Sequence, residues 1–530
     1  PPRTPALIPS PASASASAPP AALVAEPPPE APAPGLRRQA VDRALGRLPS
    51  DRLDRFLAAT DPAAALRDWF GDDLAALPPG SLRAAIDRDI ALLDEMLTDQ
   101  LNAVLHHPRF LALEASWRGL AYLCRCVTPA SAVRVKALNA SWTEIARDFS
   151  HAADVEQSAL FDKVYNQEFG MPGGQPFGVL LCDYEVRHRP VPSHPVDDVA
   201  ALASLAGVAA AAFAPAVLGA SPHLLGLDDF SDLDRLHGLA GLFRSAEYLR
   251  YERLRQQEDT RFLALVLPRI LMRPPHEDVA MPFRYREDRT GLGPDSLCWG
   301  SAVYAFGEVL VRAFDRHGWF ADICGVRQDE IDHGLVTGVP APSTEPDAPE
   351  VVQRFGTEVV IPAAIEYDLW QLGLMNLNAC KDTPYLVFRS GVSIRATPAA
   401  APSPAVVNAR ISAMLRYMLC VSRFAHYVKV QVRDRVGSYA TAQACESALQ
   451  QWLHSYSIGN DDAAPEVKAR YPLREARVEV REVPGRPGTY ACIMHLRPHF
   501  QLDQISTTFR LVTDLSLTGR AALPSFGSRS

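Results

Sequence analysis

The stretch Tyr471-Pro-Leu-Arg-Glu-Ala-Arg-Val-Glu-Val-Arg-Glu-Val-Pro-Gly-Arg-Pro-Gly-Thr-Tyr490, running on to Cys492-Ile-Met-His-Leu-Arg497, decides how this chain is read. Apolar and charged residues alternate on both sides of a Pro-Gly-Arg-Pro-Gly turn, the pattern of a β-hairpin. Arg477, Val478, Glu479, Val480 and Arg481 fall on the first strand, and Tyr490, Ile493 and Leu496 on the second. A charged hairpin near the C-terminus offers sheet edges to a neighbouring chain, while its charges limit pairing with wrong ones. Assembly is expected rather than catalysis.

Outward from the hairpin, the 530 residues are enough for a sizeable core and about two to four domains. The 53 bases against 61 acids leave a net charge of −8. That balance argues against nucleic acid as the main partner, because phosphate binding draws on excess Lys and Arg. Nine cysteines are scattered, mostly in apolar runs, and none form a CxxC pair. A reduced, cytoplasmic protein is expected. The chain starts at Pro1 rather than Met, and its front lacks a basic stretch followed by an apolar one, so no signal peptide is read there. Val199 to Leu218 carries no charge but is Ala-rich and broken by Gly207 and Pro215. It is read as a small-faced helix, about Val196 to Phe213, packed on a sheet, and not as a membrane span.

The pattern predicts an α/β chain with helical attachments. Residues 1–35, rich in Pro, Ala and Ser, form a disordered tail, and 36–130 a helical region that includes Leu36–Leu48. In that region Ser81 starts a long helix. Its apolar seam is Ile86, Ile90, Leu93, Leu97, Leu101 and Val104. Residues 131–400 form the α/β body with a mixed, mostly buried sheet. Its candidate strands are Val133–Leu138, Phe177–Val186, Ala214–Ala220, Phe262–Met272, Phe320–Gly325, Thr357–Ile361, Leu374–Cys380 and Tyr385–Phe388. The Pro-rich run Pro340–Pro349 is a surface loop. Residues 401–515 carry long helices and the terminal strands, and 516–530 a flexible tail. A second seam, Met414, Met418, Val421, Ala425, Val428 and Val432, runs along the first of those helices.

Catalytic and metal signals are weak. Gly170–Gly178 is Gly-rich but precedes a strand and lacks the Lys-Ser/Thr of a phosphate loop, so a turn is expected. His106-His107 ends a helix without the spacing of a zinc site. Asp183 and Glu185 follow a buried strand, where an acid pair would serve a hydrolase or transferase; ion pairs to Arg187 or Arg189 are the plainer reading. Trp117-Arg118-Gly119 could form a contact site, but a core Trp beside a surface Arg is the default reading. No cofactor or metal is implied.

Several segments resemble the large sheath subunit of the bacterial type VI secretion system, the TssC/VipB family. They are Leu105–Leu120 (LHHPRFLALEASWRGL), Gly173–Glu185 (GGQPFGVLLCDYE), Glu258–Phe262 with Leu267-Pro-Arg269, and Trp299-Gly300. Val421–Tyr427 (VSRFAHY), Tyr471–Arg474 and Leu496–Phe500 complete the set, which spans about Leu82 to Leu515. The resemblance implies a structural subunit that pairs with a small partner, TssB/VipA, and polymerises as a helical sheath around an Hcp tube on a baseplate. Contraction of that sheath would deliver effectors. It also implies that Arg477–Val483 and Tyr490–Arg497 join strands of neighbouring protomers in one sheet. The seams at Ile86, Ile90, Leu93 and Leu97 and at Met414, Met418, Val421 and Val428 are candidates for packing on the small subunit. Leu36–Leu48 is the stretch that would offer the ATPase ClpV a grip, although no motif there carries residues over. A phage-tail-like sheath protein is the neighbouring alternative.

Overall fold

The computed structural model describes residues 50–515 apart from 72–77, 237, 277–278, 281–282, 286, 288–295, 321, 327–330, 332, 342–354, 382, 398–408, 435–441, 461–462, 483–489 and 500–508. The expected N-terminal tail, the helix Leu36–Leu48, the Pro-Gly turn of the hairpin, most of the loop Pro340–Pro349 and the tail 516–530 lie outside the described residues. The strands are β1 (Leu180–Val186), β2 (Ala216–Ala220), β3 (Leu263–Leu267), β4 (Ile270–Arg273), β5 (Val279–Ala280), β6 (Arg284–Tyr285), β7 (Cys298–Gly300), β8 (Leu335–Val336), β9 (Leu374–Ala379), β10 (Leu386–Phe388), β11 (Leu473–Glu482), β12 (Tyr490–Pro498) and β13 (Phe509–Leu515).

The chain divides into two compact units, Pro1–Leu101 with Asp278–Tyr285, and Asn102–Glu277 with Arg286–Ser530. In the first, Asp61 caps the helix Pro62–Phe70 by accepting from the N–H groups of Ala63 and Ala64, and Pro62 sits where no donor is needed. Phe56 packs on Trp69 at 5.0 Å, and the Trp69 indole donates to the buried Asp89 of the helix Pro79–Leu105. Strands β5 and β6 pair antiparallel.

The second unit is built on a six-stranded sheet of order β1-β2-β3-β9-β10-β8, parallel from β1 to β9 and antiparallel through β10 and β8. Both faces are covered, which is why the inner strands read as unbroken apolar runs. Leu218, Leu263 and Leu265 point to one apolar cluster, which takes Leu202 and Leu205 of the helix Asp198–Ala211. Val217, Ala264 and Val266 point to the other, with Val303, Phe306 and Val309 of the helix Val303–His317. The charge-free stretch is thus a sheet-covering helix and a buried strand, and among the described residues no helix is long and apolar enough to cross a membrane.

Some expected strands are absent or cut. Val133–Leu138 pairs with no strand among the described residues, and neither does Phe320–Gly325. Thr357 contributes only an isolated bridge to Ile270. Phe262–Met272 is two strands, because Pro268 has no N–H for a ladder. β8 is a two-residue strand, too short to read from alternation.

Candidate assembly interface

The C-terminal sheet runs β11-β12-β13, antiparallel throughout. On one face Ala476, Val478, Val480, Cys492, Met494 and Leu496 are buried. They meet Leu449 and Leu453 of the helix Ala442–His454 in the large apolar cluster. Each of the Val, Met and Leu side chains contributes about 1.5–3 kcal/mol on burial. On the other face Glu479 is bracketed by Arg477 at 3.5 Å and Arg481 at 2.7 Å, and Glu475 faces Arg497 at 3.5 Å. Arg477 and Arg481 are exposed, whereas Ile493 is buried. Tyr490 enters the ladder opposite Glu482 and Leu515.

The rims of this sheet differ. β12 is paired on both sides, so the strand holding Tyr490, Ile493 and Leu496 lies inside the sheet and has no free backbone edge. β13, which alternation did not single out, takes one of those sides. The outer rim of β11 is occupied by side chains of the helix Ala442–His454. Gln450 Nε2 donates to the Ala476 carbonyl at 2.8 Å, and Gln450 Oε1 accepts from the Val478 N–H at 2.8 Å. Glu446 Oε2 accepts from the Val480 N–H at 2.9 Å.

Hydrogen-bonding directions alternate along each antiparallel strand. With Ala476, Val478 and Val480 facing out of β11, the registers Val480↔Cys492 and Ile493↔Val512 turn Arg510, Val512 and Asp514 outward on β13. Among the described residues no strand pairs with that rim.

The two helical seams part ways. Met414, Met418, Val421 and Val428 are buried, the last three within the large apolar cluster of the chain itself. Along the helix Pro79–Leu105, Ile86 and Leu93 are half-buried, but Ile90 and Leu97, seven residues apart, are 52% and 45% exposed. Trp117 corrects a core reading: it is 65% exposed, with Leu113 one turn away at 57%. Ala115 and Gly119 take the inner face, and a Cβ on Gly119 would stand 2.3 Å from the Tyr304 ring.

The charged groups of the body resolve into internal ties. A bulge in β1 between Cys182 and Glu185 separates the two acids. Asp183 accepts from Ser116 Oγ at 2.6 Å and from the Tyr304 hydroxyl at 3.0 Å. Glu185 lies 3.9 Å from Arg269 and also feels the charge of Arg187. Arg269 holds Glu358 with two hydrogen bonds; burial nonetheless pushes the Glu358 carboxyl up to about 7. Burial also raises Glu185, with Arg269 opposing it.

Arg273, 5% exposed at its side chain, donates to Glu114 at 2.8 Å and to Glu287 at 2.6 Å. His106 meets the same Glu287 at 3.0 Å, while His107 caps the next helix by accepting from the Arg109 N–H. Burial opposes ionisation of both carboxylates, but hydrogen bonds from Arg273 outweigh it and hold them below the usual range. In Val421–Tyr427, Phe424 stacks on Trp319 at 4.3 Å, and His426 Nε2 donates to the Ala212 carbonyl at 2.9 Å. Its Nδ1 accepts from Arg423 at 3.2 Å, which fixes a neutral ring. Burial and then Arg423 pull its pKa down to about 3.

This architecture has recognised relatives. Residues 87–395 match the family described as EvpB/VC_A0108, tail sheath N-terminal domain. Residues 404–515 match EvpB/VC_A0108, tail sheath gpW/gp25-like domain. These matches define a tail sheath protein. The chain is also 34% identical over 438 residues to the type VI secretion system sheath protein TssC1 of Pseudomonas aeruginosa, covering 81% of this chain and 86% of that protein. The chain therefore belongs to the VipB/TssC family and is a sheath subunit of the type VI secretion system.

Proposed function

We propose that this subunit pairs with a TssB/VipA-like small subunit in the cytoplasm and polymerises around an Hcp tube, with a neighbour's strand added at the open rim of β13. The observation that carries this reading is the asymmetry of the C-terminal sheet: one rim is covered by Glu446 and Gln450, and the other presents backbone groups to no strand among the described residues. Main-chain hydrogen bonds would tether protomers while they rotate against one another. Contraction would then be a repacking between protomers, and the internal ties of Asp183, Arg273 and Glu358 would keep each body rigid. A structural role without turnover fits these ties, since each carboxylate is already engaged by a hydroxyl or a guanidinium of its own chain. The half-exposed Ile90 and Leu97 are the seam proposed to meet the small subunit. Attachment to a baseplate and recycling by ClpV belong to the same proposal. Coexpression with a small sheath subunit tests it: negative-stain microscopy should show hollow cylinders, and soluble heterodimers alone would count against polymerisation.

A further inference from the structure

The run Val133–Leu138 alternates like a strand in the sequence, yet no strand among the described residues pairs with it. From Val133 to Ala140 the backbone makes no turn or bend. Its side chains follow the two-residue period of a strand. Arg134 donates to Gln175 Oε1 at 3.1 Å, and Lys136 reaches Glu168, whose other oxygen accepts from the Gln175 N–H. Val133, of the opposite parity, packs on the apolar cluster around Val303 and Phe306. Both ends are fixed. Ser131 Oγ donates to Asp315 at 2.6 Å and accepts from the Val133 N–H at 3.0 Å, and the Tyr184 hydroxyl donates to the Ala140 carbonyl. Between these anchors, residues Arg134 to Asn139 are all exposed, and none of their backbone N–H or C=O groups is hydrogen-bonded among the described residues.

A row of unpaired donors and acceptors held straight by its side chains is a sheet edge without a sheet. We propose that this segment accepts an extended strand of a different protein, with a carboxylate opposite Arg134 and an apolar side chain beside the 52%-exposed Leu138. An extended backbone supplies acceptors and donors at the matching alternate spacing. Arg134 meets a neutral amide, so its charge has no counterion among the described residues, whereas Lys136 has Glu168. Residues 132–140 hold no acid, so a second copy pairing antiparallel would set cations against cations across the ladder. The chain's own residues 1–35 are rich in Pro, which cannot donate to a ladder. The inference is independent of strand addition at β13.

The test follows amide hydrogen exchange of the full chain by mass spectrometry, alone and with an excess of the peptide acetyl-Thr-Glu-Val-Glu-Val-Glu-Thr-amide. Amides of residues 134–139 should exchange without protection in the chain alone and about tenfold or more slowly with the peptide. Peptides with Lys for Glu, or Pro for Val, are the controls and should give no protection. Val135→Pro and Leu138→Pro remove N–H groups that point to opposite sides of the segment. Thermal unfolding of both should match the parent, and one of them should lose the protection. The proposal is overturned by any of four results: no protection by the acidic peptide, equal protection by the lysine peptide, protection that grows with protein concentration alone, or protection unchanged in both folded proline variants.

Discussion

Gln450 lies against Val478 as a neighbouring strand would: its side-chain amide accepts from the Val478 N–H and donates to the Ala476 carbonyl, both at 2.8 Å. An amide side chain carries the same donor and acceptor as a peptide unit, so it can close a sheet edge without a strand. Helix Ala442–His454 therefore packs on the sheet with Leu449 and Leu453 and seals its rim with Glu446 and Gln450, one turn apart.

Replacing Gln450 by Leu should leave two backbone groups of β11 without partners. The expected cost is about 1–3 kcal/mol, read from the denaturant midpoint. A bare rim also invites self-pairing, so sedimentation should show new oligomers of the purified protein. A Gln450→Leu protein as stable and as monodisperse as the parent would remove the seal from the account.

His426 makes stability fall in mild acid. Its folded pKa, about 3, lies below the unfolded value near 6.5. The unfolded chain therefore binds the extra proton between these values. Its contribution is intact above pH 6.5 and is lost as pH drops toward 3, at up to about 1.4 kcal/mol per unit. Urea unfolding at pH 7, 6 and 5 should show a steeper loss for the parent than for His426→Gln. Parallel slopes would contradict a buried neutral ring.

Arg273 pairs with the buried Glu287 and the half-buried Glu114, so losing it should be severe. Arg273→Met leaves Glu287 with His106 and the His276 N–H, and Glu114 with the half-exposed Arg118 alone, at an expected cost of about 3 kcal/mol. Adding Glu114→Gln and Glu287→Gln should recover much of that loss in the unfolding midpoint. If the triple variant is no more stable than the single one, the network does not act through charge.

What could be read from the residues depended on how local the cause was. The hairpin, the parallel strands and the Ala-rich helix announced themselves, because alternation, apolar runs and missing charge are local signals. The rim of β11 did not. Val480 reads as a ladder donor, yet its N–H goes to Glu446, thirty-four residues away. The Met414–Val428 and Ile86–Leu97 seams look alike in spacing, and only tertiary packing buries the first while exposing Ile90 and Leu97. Trp117 was misread for the same reason: which helix face is inner is decided by Gly119 against Tyr304, a contact no spacing reveals. Asp183 and Glu185 sit two apart in the sequence, but the irregularity in β1 gives them different neighbours: Ser116 and Tyr304 for Asp183, Arg269 for Glu185.

Everything about assembly turns on the outward backbone groups of β13. Val512 is the residue to change, since its N–H faces the rim with which no described strand pairs, while its neighbours hold the ladder to β12. A proline there removes one rim donor and is tolerated at an edge. Coexpressed with the small subunit and viewed by negative-stain microscopy, Val512→Pro should give a soluble, folded complex without cylinders, while Val512→Thr assembles normally. Cylinders of ordinary length from Val512→Pro would contradict strand addition at this edge.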